Sequence, residues 1–327
     1  MRAMNVVMKR DVGQDERFTG KLPESSYFDI TTPYGYGGFL LEGEITDESL
    51  RELNNEYSSF CKKKGIISEF IRFQQVSRNS EGLGNIYDIS TMSKTISIAL
   101  NSRGQIWNNL TSKNRNMVRK AQKSGVEIYW GRNAKLYKEF VQMYNATMDK
   151  DNATDYYYFG DDFYNSILND FKYNALMFYA AYQGKKIAMS IILFANKQMH
   201  YHLSASDREY QHLAPTNLLL YEGACWGSEN GYKTFHLGGG VGSSEDGLFK
   251  FKSSFNRNSD SIFAIGRKIF DEEKYKVLVD IRKTDSGTDL QVASSQGIEL
   301  NLVKRRRNKL KIFFAGEREL ELAKIEF

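Results

Sequence analysis

The sequence predicts an α/β (α+β) protein of two domains, each built from a mixed, mostly antiparallel sheet flanked by helices. The chain has 327 residues, which suits two domains of about 150 residues each. In the second half, stretches with the two-residue period of strands alternate with stretches of helical period, and very short turns join three consecutive strands. We expect a reduced first domain at residues 1–127 and a larger second domain at 128–327.

The composition of the chain limits the classes of protein to which it can belong. Hydrophobic residues make up 41% and charged residues 26% of the chain, which supplies a core and excludes disorder. No run approaches the roughly 20 apolar residues of a membrane span, and Met1–Arg10 lacks the apolar region of a signal peptide. We therefore expect a cytoplasmic protein. The formal net charge of +5 suits a phosphorylated ligand and leaves nucleic acid open.

The two cysteines give no sign of a disulfide framework or of a nucleophile. Cys61 and Cys225 lie far apart, and neither belongs to a local motif. Free cysteine is among the residues most often buried. We interpret both as packing residues.

The second half contains a definite order of elements. The expected strands are Val126–Trp130, Leu176–Tyr182, Lys186–Phe194, Gln198–Ser204 and Tyr232–Leu237, followed by strand-like Ser261–Arg267 and Lys276–Ile281. The expected helices are Lys135–Met148, Asp162–Phe171, one from Pro215 to Asn230, and Gly247–Phe255. We expect residues 128–281 to form one sheet, in which Gln198–Ser204 and Tyr232–Leu237 run side by side and splay apart at their ends.

The first half is less regular. Patterns predict a helix at Glu48–Lys64, strands near Ile66–Val76 and Thr95–Leu100, and one polar helix from Gln105 to Ser124. This half can be interpreted as a reduced copy of the same unit. Residues from Thr284 onward show weak patterning, and the basic run at 304–307 is interpreted as a solvated face.

Several segments, taken in order, resemble the Fem family (FemABX-like) of peptidoglycan-bridge aminoacyl transferases within the GNAT acetyltransferase superfamily. They are the loop 32–38 (Thr-Pro-Tyr-Gly-Tyr-Gly-Gly), then 119–126, 157–159, 163–164, 200–206, 213–222, 231–233, 235–240 and 248–255. The resemblance covers roughly residues 27–270. It implies two GNAT-like domains with the substrate site in the cleft between and beside them.

The resemblance also implies a donor, either an aminoacyl-tRNA or an acyl-coenzyme A, and no tightly bound cofactor. Two departures bear on that choice. The long helical arm of some Fem enzymes has no counterpart, because nothing between Leu136 and Phe171 is long enough to form it. The pyrophosphate loop of coenzyme A-dependent relatives corresponds to Arg208–Ala214, which contains no glycine. This second departure favours a tRNA-bound or otherwise unusual donor.

Acyl transfer to an amine passes through a tetrahedral intermediate whose oxygen carries negative charge, so a cation beside that oxygen speeds the reaction. Lys252 is the expected source, since Phe251-Lys252 resembles the Phe-Lys element of the family. Lys250 is expected on another face of its helix. We include Lys250 as a substrate-binding candidate. An equal interpretation is that its side chain only covers the apolar stems of neighbouring residues.

A general base is needed if the acceptor amine arrives protonated. Tyr201, His202 and His236 are the candidates, against the interpretation that all three pack within their strands. His200, His202 and His236 can also be drawn as a metal site, but no carboxylate or cysteine completes one at recognisable spacing. We expect no metal.

Further residues are expected to bind substrate. The glycines let the backbone approach a ligand, the loop tyrosines can stack on a sugar or base, and the arginine can hold a phosphate. Asn217 can orient substrate from the helix that begins at Pro215, and Tyr164 lies in an aromatic segment that carries the resemblance. The set is Tyr34, Tyr36, Arg72, Tyr164, Asn217, Gly238, Gly239 and Gly240. The glycine run lacks the Gly-Lys-Ser/Thr ending of a phosphate-binding P-loop.

These observations lead to one leading hypothesis and two alternatives. The leading hypothesis is an N-acyl or aminoacyl transferase acting on an amine of a cell-wall or surface-glycan precursor. Its partners would be a small-molecule or nucleotide-linked glycan acceptor and, in one branch, tRNA. Because residues 159–162 read Phe-Gly-Asp-Asp, a muramyl-peptide acceptor is not specified, and an amino sugar of capsule synthesis is as suitable.

The first alternative is an acyl-coenzyme A-dependent N-acetyltransferase of an amino sugar. The second is a degenerate GNAT-like module that binds RNA or another polyanion. Its binding face would be the basic stripe of Arg115, Arg119 and Lys123, which recur every four residues.

Overall fold

The computed structural model describes residues 1–33, 35–150, 153, 157–286 and 324–326. In chain order the strands are β1 Arg2–Met4, β2 Met8–Asp11, β3 Phe28–Thr31, β4 Leu40–Glu42, β5 Ile66–Arg72, β6 Asp88–Lys94, β7 Ile96–Ala99, β8 Glu127–Gly131, β9 Ala175–Tyr182, β10 Lys185–Ala195, β11 Gln198–Ser206, β12 Thr234–Gly238, β13 Ile262–Ile269 and β14 Lys324–Glu326. The helices are α1 Asp47–Lys63, α2 Arg103–Asn109, α3 Ser112–Lys123, α4 Ala134–Lys150, α5 Asp161–Asn169, α6 Pro215–Glu229, α7 Gly247–Ser253 and α8 Glu272–Ser286.

The described residues fall into two compact units. One contains residues 1–93, 262–286 and 324–326, and the other contains residues 94–261. This division differs from the expected boundary between residues 127 and 128. The reason is that β7 pairs with β12, so the chain enters the second unit before α2 and leaves it before β13.

The second unit is built on a six-stranded sheet in the order β7-β12-β11-β10-β9-β8. Only the β11–β12 pair is parallel, so the predicted mixed, mostly antiparallel sheet is confirmed. The central strand β10 is buried along most of its length, as expected for an apolar strand covered on both faces. Its side chains alternate between two cores, with Ile187 and Ile192 in one and Met189 and Ile191 in the other.

The two strands predicted to splay apart do so. β11 and β12 pair at only three positions, the last being His200 with His236. Beyond that point β11 continues to pair with β10. Ile192 pairs with Tyr201 and Ile191 pairs with Leu203, so β11 has one residue more than β10 between these two pairs. A bulge of this kind bends a strand and increases its twist. The two strands therefore open a gap at their carboxyl ends.

Two predictions at the end of this series are wrong. The strand β13 belongs to the sheet of the first unit, where it pairs with β5, so residues 128–281 do not form a single sheet. Residues 276–281 lie in helix α8 rather than in a strand. Tyr275, Leu278 and Ile281 are spaced three apart and pack together in one apolar cluster, so the helical period overrode the alternating pattern.

The first unit contains a five-stranded sheet in the order β2-β3-β5-β13-β6 and a small antiparallel sheet of β14, β1 and β4. Helix α1 begins with a capping box between Thr46 and Ser49, which satisfies two backbone donors of its first turn. Its buried residues Leu53 and Tyr57 pack on the sheet. The unit is thus a second mixed sheet with helical cover.

The predicted single helix at 105–124 is two helices. Leu110 is 1% exposed and ends α2 in an extended conformation, and Thr111 caps α3 through the backbone nitrogen of Asn114. A buried leucine followed by a threonine cap turns the chain. The helix α3 then packs against α6, which holds the amino-terminal end of α6 in place.

The cysteines lie in separate cores. Cys61 belongs to the core of the first unit and Cys225 to that of the second, and both are free thiols. Burial raises the pKa of Cys61 to about 12 and that of Cys225 to about 11. Thiols in such surroundings are inert, as their interpretation as packing residues requires. Among the described residues, no helix combines the length and apolar character needed to cross a bilayer.

Candidate active site

The gap between β11 and β12 leads to a cluster of polar groups in the second unit. Tyr201 comes from β11 just beyond the last paired position. Gly238 is the last residue of β12, and Gly239 and Gly240 follow it directly. Lys252 comes from α7, and Asp246 caps that helix. We call these residues, Tyr201, Gly238–Gly240, Asp246 and Lys252, the Lys252 site.

The glycine segment follows a path that side chains would obstruct. Gly238 has a φ of +80°, and a Cβ there would lie 3.3 Å from the Lys252 ammonium nitrogen. At Gly240 a Cβ would lie 2.0 Å from the carbonyl oxygen of Ser244 and 2.5 Å from Oδ1 of Asp246. Glycine permits both the left-handed conformation and the close approach. The segment is therefore held tightly against the start of α7.

Asp246 holds this segment to α7. Its carboxylate accepts hydrogen bonds from the backbone nitrogens of Phe249, at 2.8 Å, and Val241, at 3.2 Å. These backbone bonds lower the pKa of Asp246, because they favour the ionised carboxylate. One side chain thus caps α7 and fixes the loop before it.

Lys252 is buried while carrying an ammonium group. It is 9% exposed, and its Nζ donates a 2.8 Å hydrogen bond to the carbonyl oxygen of Gly239. The Nζ also lies 6.0 Å from the ring centroid of Tyr201, within the range of a weak cation–π contact. Burial lowers the pKa of Lys252 to about 8, although Asp246 opposes the shift. Lys250, in contrast, is exposed, as its different helical face predicted.

The histidines lie beside this cluster in buried surroundings. His236 is 2% exposed, and its Nε2 lies 3.1 Å from Oγ1 of Thr95. Burial lowers the pKa of His236 to about 3, and burial followed by the neighbouring His200 lowers that of His202 to about 4. Both imidazoles are therefore neutral and weakly basic at neutral pH.

Tyr201 is also uncharged at neutral pH. Burial raises the pKa of its hydroxyl, while hydrogen bonds with Ser204 and Ser190 oppose that rise. A neutral phenol can donate or accept a hydrogen bond. It is a weak base, so its chemistry at this site is that of an orienting group.

Asn217 takes part in a second polar arrangement of this unit. It lies in the first turn of α6, and its Nδ2 donates to Oδ1 of Asn114 at 2.8 Å. Asn114 is 1% exposed, and its own Nδ2 makes no hydrogen bond within the described structure. The segment 208–213, just before α6, is a 3₁₀ helix. A buried amide donor therefore lies beside the amino-terminal end of α6.

Other predicted residues lie elsewhere. Tyr164 is 3% exposed and packs its ring against Phe140, Phe159 and Phe163. We expected it to contact substrate, but it lies in the core beside α4 and α5. Tyr36 and Arg72 belong to the first unit, where the nitrogen of Gly37 donates to the carbonyl oxygen of Arg72 at 2.8 Å. Tyr34 lies outside the described residues.

The basic stripe is less uniform than its sequence predicts. Arg115 donates to the carbonyl oxygens of Leu110 and Asn108, which close the end of α2. Arg119 lies with its guanidinium carbon 4.9 Å from the ring centroid of Trp107. Only Arg119 and Lys123 of the three line a shallow depression of about 400 Å³ on α3.

Sequence reasoning missed four residues that the structure places beside predicted ones. Asp246 could have been found, because an aspartate before a short helix is a typical cap. Thr95, Asn114 and Gln75 carry no local signal, since their importance depends on contacts with residues distant in the chain.

Comparisons with known proteins agree with this architecture. Residues 109–252 match the family described as Acetyltransferase (GNAT) domain, a range that includes the splayed strands and ends at Lys252. No curated protein sequence matches the chain significantly.

Several solved structures share the fold. The crystal structure of FemX is 15% identical and aligns with a TM-score of 0.59, covering 84% of this chain and 90% of FemX. L-PGS from Bacillus licheniformis is 12% identical with a TM-score of 0.52, covering 88% of this chain and 86% of that one. A conserved protein from Bacteroides thetaiotaomicron is 14% identical with a TM-score of 0.50, covering 74% and 78%. Residues 109–252 are thus similar to the GNAT acetyltransferase domain, and the chain shares its fold with FemX.

Proposed function

We propose that the protein is an N-acyl or aminoacyl transferase and that the transfer takes place at the Lys252 site. The observation that carries this proposal is the buried ammonium of Lys252 held by the Gly239 carbonyl oxygen, beside the gap between β11 and β12. A buried cation is costly unless it is paired or functional. Here its hydrogen-bond partner is one neutral carbonyl, so the ammonium has donors left for a substrate.

The reaction requires few groups from the protein. The acceptor amine attacks the carbonyl carbon of the donor, and the carbonyl oxygen becomes negatively charged. The Lys252 ammonium stabilises that oxygen, and the low dielectric of its surroundings strengthens the interaction. The carbon–oxygen or carbon–sulfur bond to the carrier then breaks, and the proton of the amine leaves to a base or water.

The histidines do not supply a strong base. His236 and His202 have pKa values of about 3 and 4, well below the range in which general bases work best near neutral pH. We infer that the acceptor amine reacts in its neutral form. His236 and Tyr201 would then orient substrate or shape the gap.

The acidity of Lys252 predicts the pH dependence of turnover. Burial lowers the pKa of Lys252 to about 8. The side chain is therefore fully protonated at lower pH and loses its proton as pH rises through that value. At saturating substrate, kcat should fall by about tenfold for each pH unit above 8. A Lys252→Arg variant that retains activity should lack this alkaline limb, since arginine stays protonated. An identical limb in that variant would assign the titration to another group.

The donor is the open part of the proposal, and acetyl-coenzyme A gives a direct test. The segment before α6 contains no glycine and forms a 3₁₀ helix, and Ala214 adopts a φ of +55°. We expect acetyl-coenzyme A to bind weakly. Calorimetry should give a dissociation constant above about 1 μM, or less than about 8 kcal/mol of binding free energy. Tighter binding would favour the acyl-coenzyme A-dependent N-acetyltransferase over the aminoacyl-tRNA branch.

The acceptor we propose is an amine of a cell-wall or surface-glycan precursor. Support comes from the fold shared with FemX. The experiment is to identify small molecules retained by the purified protein by mass spectrometry. Transfer from aminoacyl-tRNA and from acyl-coenzyme A to those acceptors is then measured. Absence of transfer from both donors, with acceptors that bind, would reject the proposed activity.

A further inference from the structure

Strand β12 has an irregular end beside the Lys252 site. It pairs with β7 at the residues on both sides of Leu237, and these two pairs use consecutive residues of β7, so Leu237 is an extra residue. A bulge of this kind disrupts the ladder and bends its strand. It comes two residues before Gly239, whose carbonyl oxygen accepts the hydrogen bond from Nζ of Lys252. The shape of the bulge therefore sets the position of that oxygen.

The side chain of Thr95 bonds to this irregular end. Thr95 directly precedes β7, and its Oγ1 lies 3.1 Å from Nε2 of His236, the last residue of β12 before the bulge. Both residues are buried, Thr95 being 3% and His236 2% exposed. The hydrogen bond spans the bulge, because Thr95 lies beyond it on one strand and His236 lies before it on the other.

Thr95 is itself held firmly. Its backbone nitrogen donates to the carbonyl oxygen of Ser261 at 2.9 Å, and its own carbonyl oxygen accepts from Oγ of Ser259 at 2.9 Å. These bonds tie Thr95 to the segment that follows α7. Because the backbone on which the hydroxyl stands is fixed, the hydroxyl can anchor the imidazole of His236.

The ring of His236 is enclosed on a second side. The ring of His200, on β11, packs edge-on against it with centroids 5.5 Å apart. Burial lowers the pKa of His236 to about 3, so its imidazole is neutral and has one N–H and one acceptor nitrogen. A hydroxyl can pair with Nε2 in either form. Loss of the hydroxyl would take a partner from this buried nitrogen, which costs free energy and favours a displaced ring.

We propose that Thr95 is a positioning residue of the Lys252 site, whose hydroxyl fixes the bulged end of β12 and thereby holds the Gly239 carbonyl oxygen against the ammonium. The connection runs from Oγ1 to Nε2 at 3.1 Å, along the short run from His236 to Gly239, and from that carbonyl oxygen to Nζ at 2.8 Å. Bulges beside active sites commonly aim groups in this way. The inference rests on the proposed transferase function and adds a residue that acts through others.

The measurable consequence is the acidity of Lys252. The hydrogen bond from Nζ favours the charged ammonium, so displacement of its acceptor oxygen lowers the pKa of Lys252. Among the described residues, the titratable groups beside Lys252 are Asp246 of the α7 cap, His236 of β12 and Tyr201 of β11. Of these only Asp246 is charged at neutral pH, and its hydrogen bonds are to backbone nitrogens of the loop and of α7.

The test is Thr95→Val, which has nearly the same shape and lacks the hydroxyl. NMR of the lysine side-chain signals gives the pKa of Lys252 in the full-length protein. We expect this pKa to fall by about one pH unit, since a hydrogen bond to a charged group is worth roughly one to two such units. An unchanged pKa of Lys252 in a folded Thr95→Val protein would overturn the proposal.

Turnover provides a second readout of the same variant. The alkaline limb of kcat should move with the pKa of Lys252, so kcat at pH 9 should fall about tenfold relative to the wild type, while kcat at pH 6 changes by less than about twofold. A merely structural role for Thr95 would lower kcat by the same factor at both pH values. The pH profile therefore distinguishes positioning from a general loss of structure.

Two further variants serve as controls. Thr95→Ser keeps the hydroxyl and should restore the wild-type pKa of Lys252. Ser261→Ala removes another buried hydroxyl of the same region, whose Oγ donates to Oγ of Ser97 at 2.8 Å, and should leave the pKa unchanged. If Ser261→Ala lowers it as much as Thr95→Val does, the site responds to any loss of a hydroxyl there and the assigned role is wrong.

The same hydrogen bond can be removed from its other end. His236→Phe keeps a ring in the strand and lacks Nε2, so it should lower the pKa of Lys252 by a similar amount. The double variant should add little to either single variant, as expected for two residues that act through one bond. Additive shifts would reject that bond as the cause. Where circular dichroism shows that Thr95→Val does not fold, His236→Phe decides alone, and an unchanged pKa rejects the proposal.

The outcomes for Thr95 and for the transferase are separable, because the NMR titration of Lys252 needs neither donor nor acceptor. If the pKa of Lys252 moves and kcat does not follow it, the effect of Thr95 on the loop stands and the assignment of Lys252 to catalysis is rejected. If the pKa stays constant, Thr95 is rejected as a positioning residue whatever the transfer assay gives.

Discussion

Replacing Lys252 by methionine should lower kcat by about 10²–10³ and leave substrate binding nearly unchanged. The expected size is that of losing one donor to the transition-state oxygen, and the selectivity for kcat follows because the charge exists mainly in the transition state. Methionine fills similar space and removes a buried cation that is held by one carbonyl oxygen. We therefore expect its melting temperature to equal or exceed that of the wild type.

The matched control is Lys250→Met, two residues away on the same helix. Lys250 is exposed, so its loss should change kcat by less than about threefold, within the range of removing a solvated charge. A purely structural role for Lys252 gives the reverse pattern, a lower melting temperature with normal turnover per folded molecule. A folded Lys252→Met enzyme with wild-type kcat would remove this residue from the mechanism.

The order of the second unit could be predicted from the sequence because its elements are strongly patterned and sequential neighbours pair. The strands β9, β10 and β11 are joined by turns at 183–184 and 196–197, where Gln183, Gly184, Asn196 and Lys197 all take positive φ. Short turns of this type fix neighbouring strands as antiparallel. The splay of β11 and β12 then followed from the order of elements.

Pairing across long sequence distances could not be predicted in the same way. The strand β13 has no local feature that assigns it to β5 rather than to β12, because both are apolar strands. The helix α8 has alternating apolar residues as well as a three-residue spacing, and only packing against Val12 and Ile67 of the first unit decides between them. A tertiary contact overrode an ambiguous local pattern in both cases.

The same distinction applies to the site residues. The position of Lys252 beside the glycine segment could be predicted, since the resemblance placed both in one ordered block. Asn114 could not, because its buried contact with Asn217 joins residues that are 103 positions apart in the chain. Tyr164 shows the opposite error, in which an aromatic residue within a resembling segment packs in the core.

The second large effect concerns Gly240, whose replacement by alanine should lower kcat by about 10². An alanine Cβ would lie 2.0 Å from the Ser244 carbonyl oxygen and 2.5 Å from Oδ1 of Asp246, so one of these groups must move. Gly240 has a φ of −82°, which alanine adopts freely, and the effect is therefore steric. Displacing Asp246 shifts the cap of α7 and with it Lys252, and a misplacement of about 1 Å can cost 10² in rate.

Gly247→Ala, seven residues later, isolates this effect from the general cost of an added methyl group. A Cβ at Gly247 meets no atom within 4 Å, and alanine at the first helical position should be neutral or slightly stabilising. The measurements are kcat, KM and the melting temperature of both variants. Because the segment 238–246 lies outside the main cores, Gly240→Ala should unfold within a few degrees of the wild type. Wild-type kcat in a folded Gly240→Ala protein would mean that the loop can move without displacing the ammonium, and would separate the glycine segment from the position of Lys252.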